Sequence, residues 1–348
     1  MADTATAPPV AKRSRNELTL YQPPTDQFDH GEDIGGGPIR TSSLDAPTMK
    51  LTGHKGSVYC LAYDPAAQVL CSGSFDMTCL LWSATGNCAN FNVLSGHKNA
   101  VLDVKFANDS EHIVTASADK NLGWWDANTG SRVKRFMGHD GIVNAVDTIR
   151  SGPAPLVVSG SDDRTARLWD ARSRKEVGVL EDDFQITAVA YSADGQTVYT
   201  AGIDNGITAW DVRQQQRTMK MTGHTDTVTC LSLDPKGTHL LSNSMDGTLK
   251  TWDVRPFVSG NRLDKTFVGG THNAEKGLLN CAWSADGSMV TGGSADRIVH
   301  VWDVPTCEEL YALPGHTGCV NAVIFHPKEN VLASASSDKS IFVGELAQ

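Results

Sequence analysis

One spacing recurs along the chain and limits what it can fold into. Gly-His dipeptides stand at Gly53-His54, Gly96-His97, Gly138-His139, Gly223-His224 and Gly315-His316, with the histidines 43, 42, 85 and 92 residues apart. The two long steps are about double the short ones, so degenerate units lie between them. Trp-Asp dipeptides follow at Trp125-Asp126, Trp169-Asp170, Trp210-Asp211, Trp252-Asp253 and Trp302-Asp303. Trp82-Ser83 is a weakened copy, and Gly344-Glu345 stands at the seventh position. A unit of this size cannot bury its own apolar surface, so units must stack. A chain of 348 residues would otherwise suggest about two domains. The repeat replaces that count with one array.

A second register runs through the same units. Asp76, Asp119, Asp163, Asp204, Asp246, Asp296 and Asp338 each lie six residues before those positions. Ser74, Ser117, Ser161, Ser244, Ser294 and Ser336 stand two residues before an Asp, and Gly202 takes that place in the fourth unit. Within a unit the residues read as short apolar strands. In the first they are SVYCLAY (57–63), VLCSGSF (69–75), CLLWSA (79–84) and FNVL (91–94). Asp194-Gly195, Lys236-Gly237 and Asp286-Gly287 supply turns between the first two strands. Four antiparallel strands make a blade, and seven blades make a closed ring. The expected fold is therefore an all-β, seven-bladed β-propeller over residues 42–348, with a flexible tail over 1–41.

The last unit ends early. After SIFVGEL (340–346) only Ala347 and Gln348 remain, so its outer strand must come from elsewhere. APTMKL (46–51), just before the first Gly-His, can supply it and cover the open edge.

His, Ser and Asp in one unit invite a catalytic reading, but a triad occurs once in an enzyme, beside an oxyanion hole. Repetition around a ring points instead to a buried bracing network. Its expected members are His54, Ser74, Asp76 and Trp82, then His97, Ser117, Asp119 and Trp125, then His139, Ser161, Asp163 and Trp169. His224, Ser244, Asp246 and Trp252 form the next set, and Asp296 and Trp302 remain in the sixth unit. The fourth unit, with Glu181-Asp182 for Gly-His and Gly202 for Ser, is expected to lack the network. No catalytic, cofactor or metal site is expected. The eight cysteines contain no C-x-x-C pair and read as small buried apolar residues of a reducing compartment.

Charge narrows the partners. Of a net charge of -10, residues 1–40 carry -2 and the repeats -8, which favours protein partners over phosphate backbones. There is no apolar run long enough for a membrane span or secretory leader. Gly35-Gly36-Gly37 lacks the Lys-Ser/Thr of a phosphate loop and reads as linker, and KRSR (12–15) is a candidate nuclear-import signal. Lys55, Lys98, Asp140, Asp162, Asp226 and Met245, in the loops around the repeated His and Asp, are candidate partner-binding residues. The long insertion at 254–277 is a second candidate surface.

The repeat resembles the WD40 family over residues 46–348. Further segments are similar to the WD-repeat proteins of the U5 small nuclear ribonucleoprotein: KRSRNEL (12–18), SSLDAPTMKLTGH (42–54), GIDNGITAWDVRQ (202–214), DVRPF (253–257), THNAEKGLLNCAWSADGS (271–288) and SASSDKSIFVGEL (334–346). That resemblance implies a non-enzymatic, nuclear scaffold subunit of the spliceosome, acting in pre-mRNA splicing. Its implied partners are the large central scaffold protein of the U5 particle and other spliceosomal proteins, with RNA contact indirect or minor. It would be one copy in a large assembly. A competing resemblance rests on Trp-Asp-x-Arg, at Trp169–Arg172, Trp210–Arg213 and Trp252–Arg255. Substrate receptors of cullin-based ubiquitin ligases use a similar box to dock an adaptor.

Overall fold

The computed structural model describes residues 42–150, 155–173, 175–258, 260–273 and 277–346. The tail over 1–41, with its Gly35–Gly37 linker and KRSR segment, lies outside the described residues.

Apolar residues on consecutive positions need cover on both faces of a strand, and the ring supplies it. In the first blade, Cys79 and Leu81 pack toward the second blade, against Val104, Ile113 and Trp125. Their neighbours Leu80 and Trp82 point the other way, against Ala333, Ile341 and Val343 of the last blade. The core is thus a set of slabs between adjacent blades, and each blade depends on its neighbours.

The described residues form seven four-stranded antiparallel sheets. The first holds Val58–Tyr63, Val69–Ser74, Thr78–Ser83 and Asn90–Ser95, in that order. Five more sheets follow the same order along the chain. The seventh takes three strands from Val320–Phe325, Val331–Ser336 and Ser340–Glu345, and its fourth is Thr48–Thr52. Thr48 pairs with Gly344 and Thr52 with Ser340, and Leu51 is buried among Ile341 and Val343. Gly195, Gly237 and Gly287 hold their turns at φ of 67°, 72° and 76°, a region costly for residues with a β-carbon.

A second tie lies next to the channel. The inner strand of six blades carries a bulge at Tyr59, Leu102, Asn144, Thr187, Thr229 and Asn321. A bulge re-aims the side chain of its extra residue. Asn144 Nδ2 donates to Ile186 O at 2.9 Å, Thr229 Oγ1 to Leu279 O at 2.8 Å, and Asn321 Nδ2 to Val58 O at 2.7 Å. Thr187 Oγ1 donates to Val228 O in the same way. Each bond joins one blade to the next. Arg150 reaches further, from the third blade to Asp234 O and Leu233 O of the fifth, at 3.0 and 2.9 Å.

The stretch 254–277 departs from the expectation of one long insertion. The outer strand of the fifth blade, Leu263–Val268, runs through it. Phe267 is fully buried there and holds the strand to the blade. The described residues on either side of it belong to no strand or helix.

Removing residues 42–51 should abolish the cooperative transition in a thermal melt. Leu51→Ala should cost about 2–4 kcal/mol in urea unfolding, the range for a buried Leu truncation.

A candidate protein-interaction face

The loops that enter each blade and the turns between its second and third strands meet on one face. His54 Nδ1 donates to Asp76 Oδ2 at 3.0 Å, and His54 Nε2 accepts from Ser72 Oγ at 2.8 Å. Ser72 Oγ in turn accepts from Trp82 Nε1 at 2.9 Å. The second blade repeats this with His97, Asp119, Thr115 and Trp125, and the third with His139, Asp163, Ser159 and Trp169. The fifth uses His224, Asp246, Ser242 and Trp252. In the seventh, His316 binds Asp338 and Ser334, and Phe342 packs edge-on to its ring at 4.7 Å.

The hydroxyl in these sets corrects the sequence expectation. It comes from Ser72, Thr115, Ser159 and Ser242, not from Ser74, Ser117, Ser161 and Ser244. The imidazole and indole meet over the middle of the second strand, whereas Ser74 ends it. Ser74 Oγ instead accepts the Asp76 N–H at 3.2 Å, and Ser117, Ser161 and Ser244 cap Asp119, Asp163 and Asp246 likewise. Ser72, Thr115, Ser159 and Ser242 have no solvent exposure, so none can meet a substrate as a nucleophile.

Each Asp does several jobs. Asp76 also accepts the Lys55 N–H at 2.8 Å and the Thr78 hydroxyl at 2.6 Å. Burial pushes its carboxyl up, but the bonds from Thr78, Lys55 and His54 prevail and hold it at about 2. Asp246 is held at about 2 by the same balance of burial against Thr248, His224 and the Thr225 amide. Burial pushes His54, His224 and His316 below their usual value, against the pull of their Asp partners. A neutral imidazole is the form that accepts from the Ser72, Ser242 and Ser334 hydroxyls at His54, His224 and His316.

Two blades are built differently. In the fourth, Trp210 Nε1 still donates to a hydroxyl, Thr200 Oγ1, at 2.8 Å, so the expectation of no network there is corrected. Asp182 stands in place of His, and Arg217 bonds Asp182 and Asp183 at 3.1 and 2.8 Å with its guanidinium over the Trp210 ring. A β-carbon on Gly202 would lie 1.9 Å from Gln185 O, so only glycine admits this loop. In the sixth, Gly292 occupies the hydroxyl position, opposite His300. His300, from the third strand, bonds Asp296 at 2.8 Å and Glu309 at 2.7 Å and stacks on Trp302. Trp302 Nε1 turns to Val268 O at 3.2 Å.

The candidate partner residues sit in these braced loops. Lys55, Lys98 and Asp140 follow the histidines, donate their N–H groups to the Asp carboxylates and leave their side chains exposed. Asp162, Asp226 and Met245 are half-buried. Asp162 accepts from Asn144 Nδ2 at 2.7 Å, and Asp226 from the Thr227 N–H at 2.7 Å. Met245 apart, sequence reasoning missed the apolar members of this face. Phe75 and Ile203 occupy the place that Asp162 and Met245 hold in their blades, the residue before the repeated Asp. Phe75, Phe184, Ile203 and Ile142 are 59, 48, 44 and 37% exposed. A large apolar residue at a turn position that other units fill with polar or small residues was the available signal. The arginines of the Trp-Asp-x-Arg boxes are partly committed: Arg172 bonds Asp170 at 2.8 Å and Arg255 grips Asp253.

A ring of blades braced by His, Asp and Trp in this order is the WD40 propeller. The model for "WD domain, G-beta repeat" matches residues 45–83, 88–126, 130–170, 174–211, 214–253, 265–303 and 307–343. Over 96% of its length the chain is 45% identical to the human U5 small nuclear ribonucleoprotein 40 kDa protein, covering 95% of that protein. The Dictyostelium discoideum protein of the same name is 43% identical over 96% of this chain and 93% of its own length. The fission yeast pre-mRNA-splicing factor cwf17 is 40% identical over 88% of this chain and 90% of its own. The chain belongs to the family of U5 small nuclear ribonucleoprotein 40 kDa proteins, within the WD40 proteins.

Ser242→Ala strands a buried indole N–H and should cost about 2–3 kcal/mol in urea unfolding. Ser244→Ala should cost about 1–2 kcal/mol, since it removes the bond from the Asp246 N–H and the bond to Asp226 O but strands no indole. Acid should unfold the protein in two stages. Histidines with folded pKa below the unfolded value stabilise fully above that value and lose this contribution as pH falls below about 6.5. The depressed carboxyls add a second loss between about 4 and 2. Unfolding midpoints across pH 7 to 2 check both stages.

Proposed function

We propose that this protein is a non-enzymatic scaffold subunit of the U5 small nuclear ribonucleoprotein, acting in nuclear pre-mRNA splicing. Its work is to hold protein partners, the large central scaffold protein of that particle among them, as a single copy in the assembly. The names and the high coverage of its relatives support the particle.

The observation that carries the mechanism is the His–Asp face. Apolar side chains stand exposed there on loops that buried hydrogen bonds already hold in one shape. Pre-ordered loops lose little conformational freedom on binding, so more of the contact energy appears as affinity. Both signs of charge stand on the face. Lys55, Lys98 and Lys120 lie on the first two blades, and Asp140, Asp162 and Asp183, with Arg164 among them, on the third and at the entry to the fourth. Such a pattern orients a protein partner better than it tracks a phosphate backbone.

Affinity purification of the full chain should recover splicing proteins with U5 RNA. Recovery of a cullin and its adaptor instead would overturn the reading. Asp140→Lys with Phe184→Asp should lower recovery of the particle about 10-fold or more while leaving the melting temperature unchanged.

A further inference from the structure

On the His–Asp face the first blade differs from the others in what it presents. The residue after each repeated Asp is left-handed and points its side chain away from the turn. Lys120 and Lys339 hold that place at φ of 70°, and polar residues or glycine hold it in four more blades. The first blade puts Met77 there, also at φ of 70° and 44% exposed. The residue before the same Asp is the exposed Phe75, edge-on to Tyr59 with ring centroids 6.4 Å apart. Tyr59 is the bulged residue of the first inner strand, and Leu102 that of the second. Leu102 cannot make the bond to the next blade that Asn144, Thr187, Thr229 and Asn321 make from this place. Tyr59 and Leu102 are both half-buried beside the channel.

The turn that carries Phe75 and Met77 is fixed. Phe75 N donates to Ser57 O at 2.9 Å, and Met77 N to Ser74 O at 3.2 Å. A β-carbon on Gly56 would lie 2.9 Å from Asp76 N and 3.1 Å from Phe75 Cβ, so glycine lets the entry loop lie against the turn. A left-handed methionine gains nothing from its backbone, and solvent gives it no packing. Two large apolar side chains on one rigid turn, with an aromatic ring behind them, form a ready seat for an apolar residue.

The charges on the seventh, first and second blades all point one way. The carboxylates of their entry loops and turns face inward. Asp338, Asp76 and Asp119 each accept from a histidine Nδ1 and a backbone N–H, and their side chains are 10, 13 and 6% exposed. In the channel, Asp103 accepts the Val104 and Val146 N–H groups at 2.9 Å. The cations of the same loops face outward. Lys339, Lys55, Lys98 and Lys120 are exposed, and none has an ion-pair partner among the described residues. On one flank, Asp296 of the sixth blade bonds His300 at 2.8 Å beside the exposed Arg297. On the other, the third blade exposes both Asp140 and Arg164, and the cationic sector ends there. Four separate ammonium groups on an acidic ring, bounded by Asp140, make a poor track for a polyanion. They suit a few carboxylates placed around an apolar side chain.

Building on the reading of the His–Asp face as a protein-holding surface, we propose that this sector binds an acidic peptide segment of a partner protein. One large apolar residue of the segment sits on Phe75, Met77 and Tyr59. Asp or Glu residues on either side of it face Lys55 and Lys339 of the first and seventh blades and Lys98 and Lys120 of the second.

The test selects random peptides of about twelve residues, displayed on phage, on the full chain. Selection should enrich a Leu, Phe or Trp with Asp or Glu close on both sides. A synthetic peptide of that pattern, followed by fluorescence anisotropy, should bind about 10-fold or more weakly to Phe75→Ser and to Lys55→Glu with Lys98→Glu. Melting temperatures should not change, and Phe184→Asp, on the fourth blade, should leave the affinity as it is. Enrichment of neutral or basic peptides, no enrichment, or equal affinity for the lysine variants would each overturn the proposal. So would tighter binding of a single-stranded RNA of about twelve nucleotides that the lysine variants abolish. The selection contains no splicing component, so it reports on this sector alone, while recovery of U5 RNA reports on membership of the particle.

Discussion

The pairing of Thr48–Thr52 with Ser340–Glu345 is the constraint on which the rest depends. A blade in this ring has no private core. Leu80 and Leu81, adjacent in sequence, belong to slabs on opposite sides of one sheet. An open ring would expose a face on each of two blades together with an unpaired edge. Closure by a strand from the other end of the repeats makes the first and last units neighbours and removes that edge. The bulged Asn144, Thr187, Thr229 and Asn321 then tie successive inner strands through side chain to carbonyl bonds. These bonds need blades at fixed spacing, so they reinforce a closed ring and could not create one.

Closure also explains why the loops are rigid. In the first, second, third and fifth blades the His–Asp pair is anchored to a hydroxyl in mid-strand and an indole from the next strand, and in the seventh to the hydroxyl of Ser334. The loop entering a blade is therefore fastened to the blade's centre. Burial of imidazole and carboxylate carries a desolvation penalty, which the bonds to backbone amides and hydroxyls offset. The result is a face whose shape is set before any partner arrives.

Much of this was legible because geometry and residue type repeat together. SVYCLAY, VLCSGSF and CLLWSA are strands within a residue or so of where spacing put them. The donor strand was legible from a shortage at the other end of the chain. The bracing hydroxyl was not. Ser72 and Ser74 are two apart on one strand and point to the same face, so alternation cannot choose between them. Choosing requires knowing how far an indole reaches across the sheet. Thr115 hides the pattern further by replacing Ser in the second unit. Leu263–Val268 was lost inside a supposed insertion because Asp264 and Lys265 interrupt its apolar run, as solvent permits on an outer strand. Asn144 and Thr187 read as ordinary polar residues until the bulge that turns them toward the next blade is seen.

The degenerate blades show what the repeated motif is for. The fourth replaces histidine with Asp182 but recruits Arg217, from its outer strand, to lie over Trp210 and bond the carboxylates. The sixth loses both histidine and hydroxyl and brings His300 up from its third strand onto Trp302 and Asp296. The seventh keeps His316 but lacks the indole, and Phe342 covers the imidazole instead. In each case a planar group still closes the space over the blade's centre. The motif is one solution to that packing need, and its residues can be exchanged when another strand supplies the plane. Exchange frees the loop from the standard shape. Phe184 and Ile203 stand exposed where the fourth blade departs from the motif, and Phe257 stands exposed after the third strand of the fifth. A ring of near-identical units thus gains distinct surfaces where its units stop being identical.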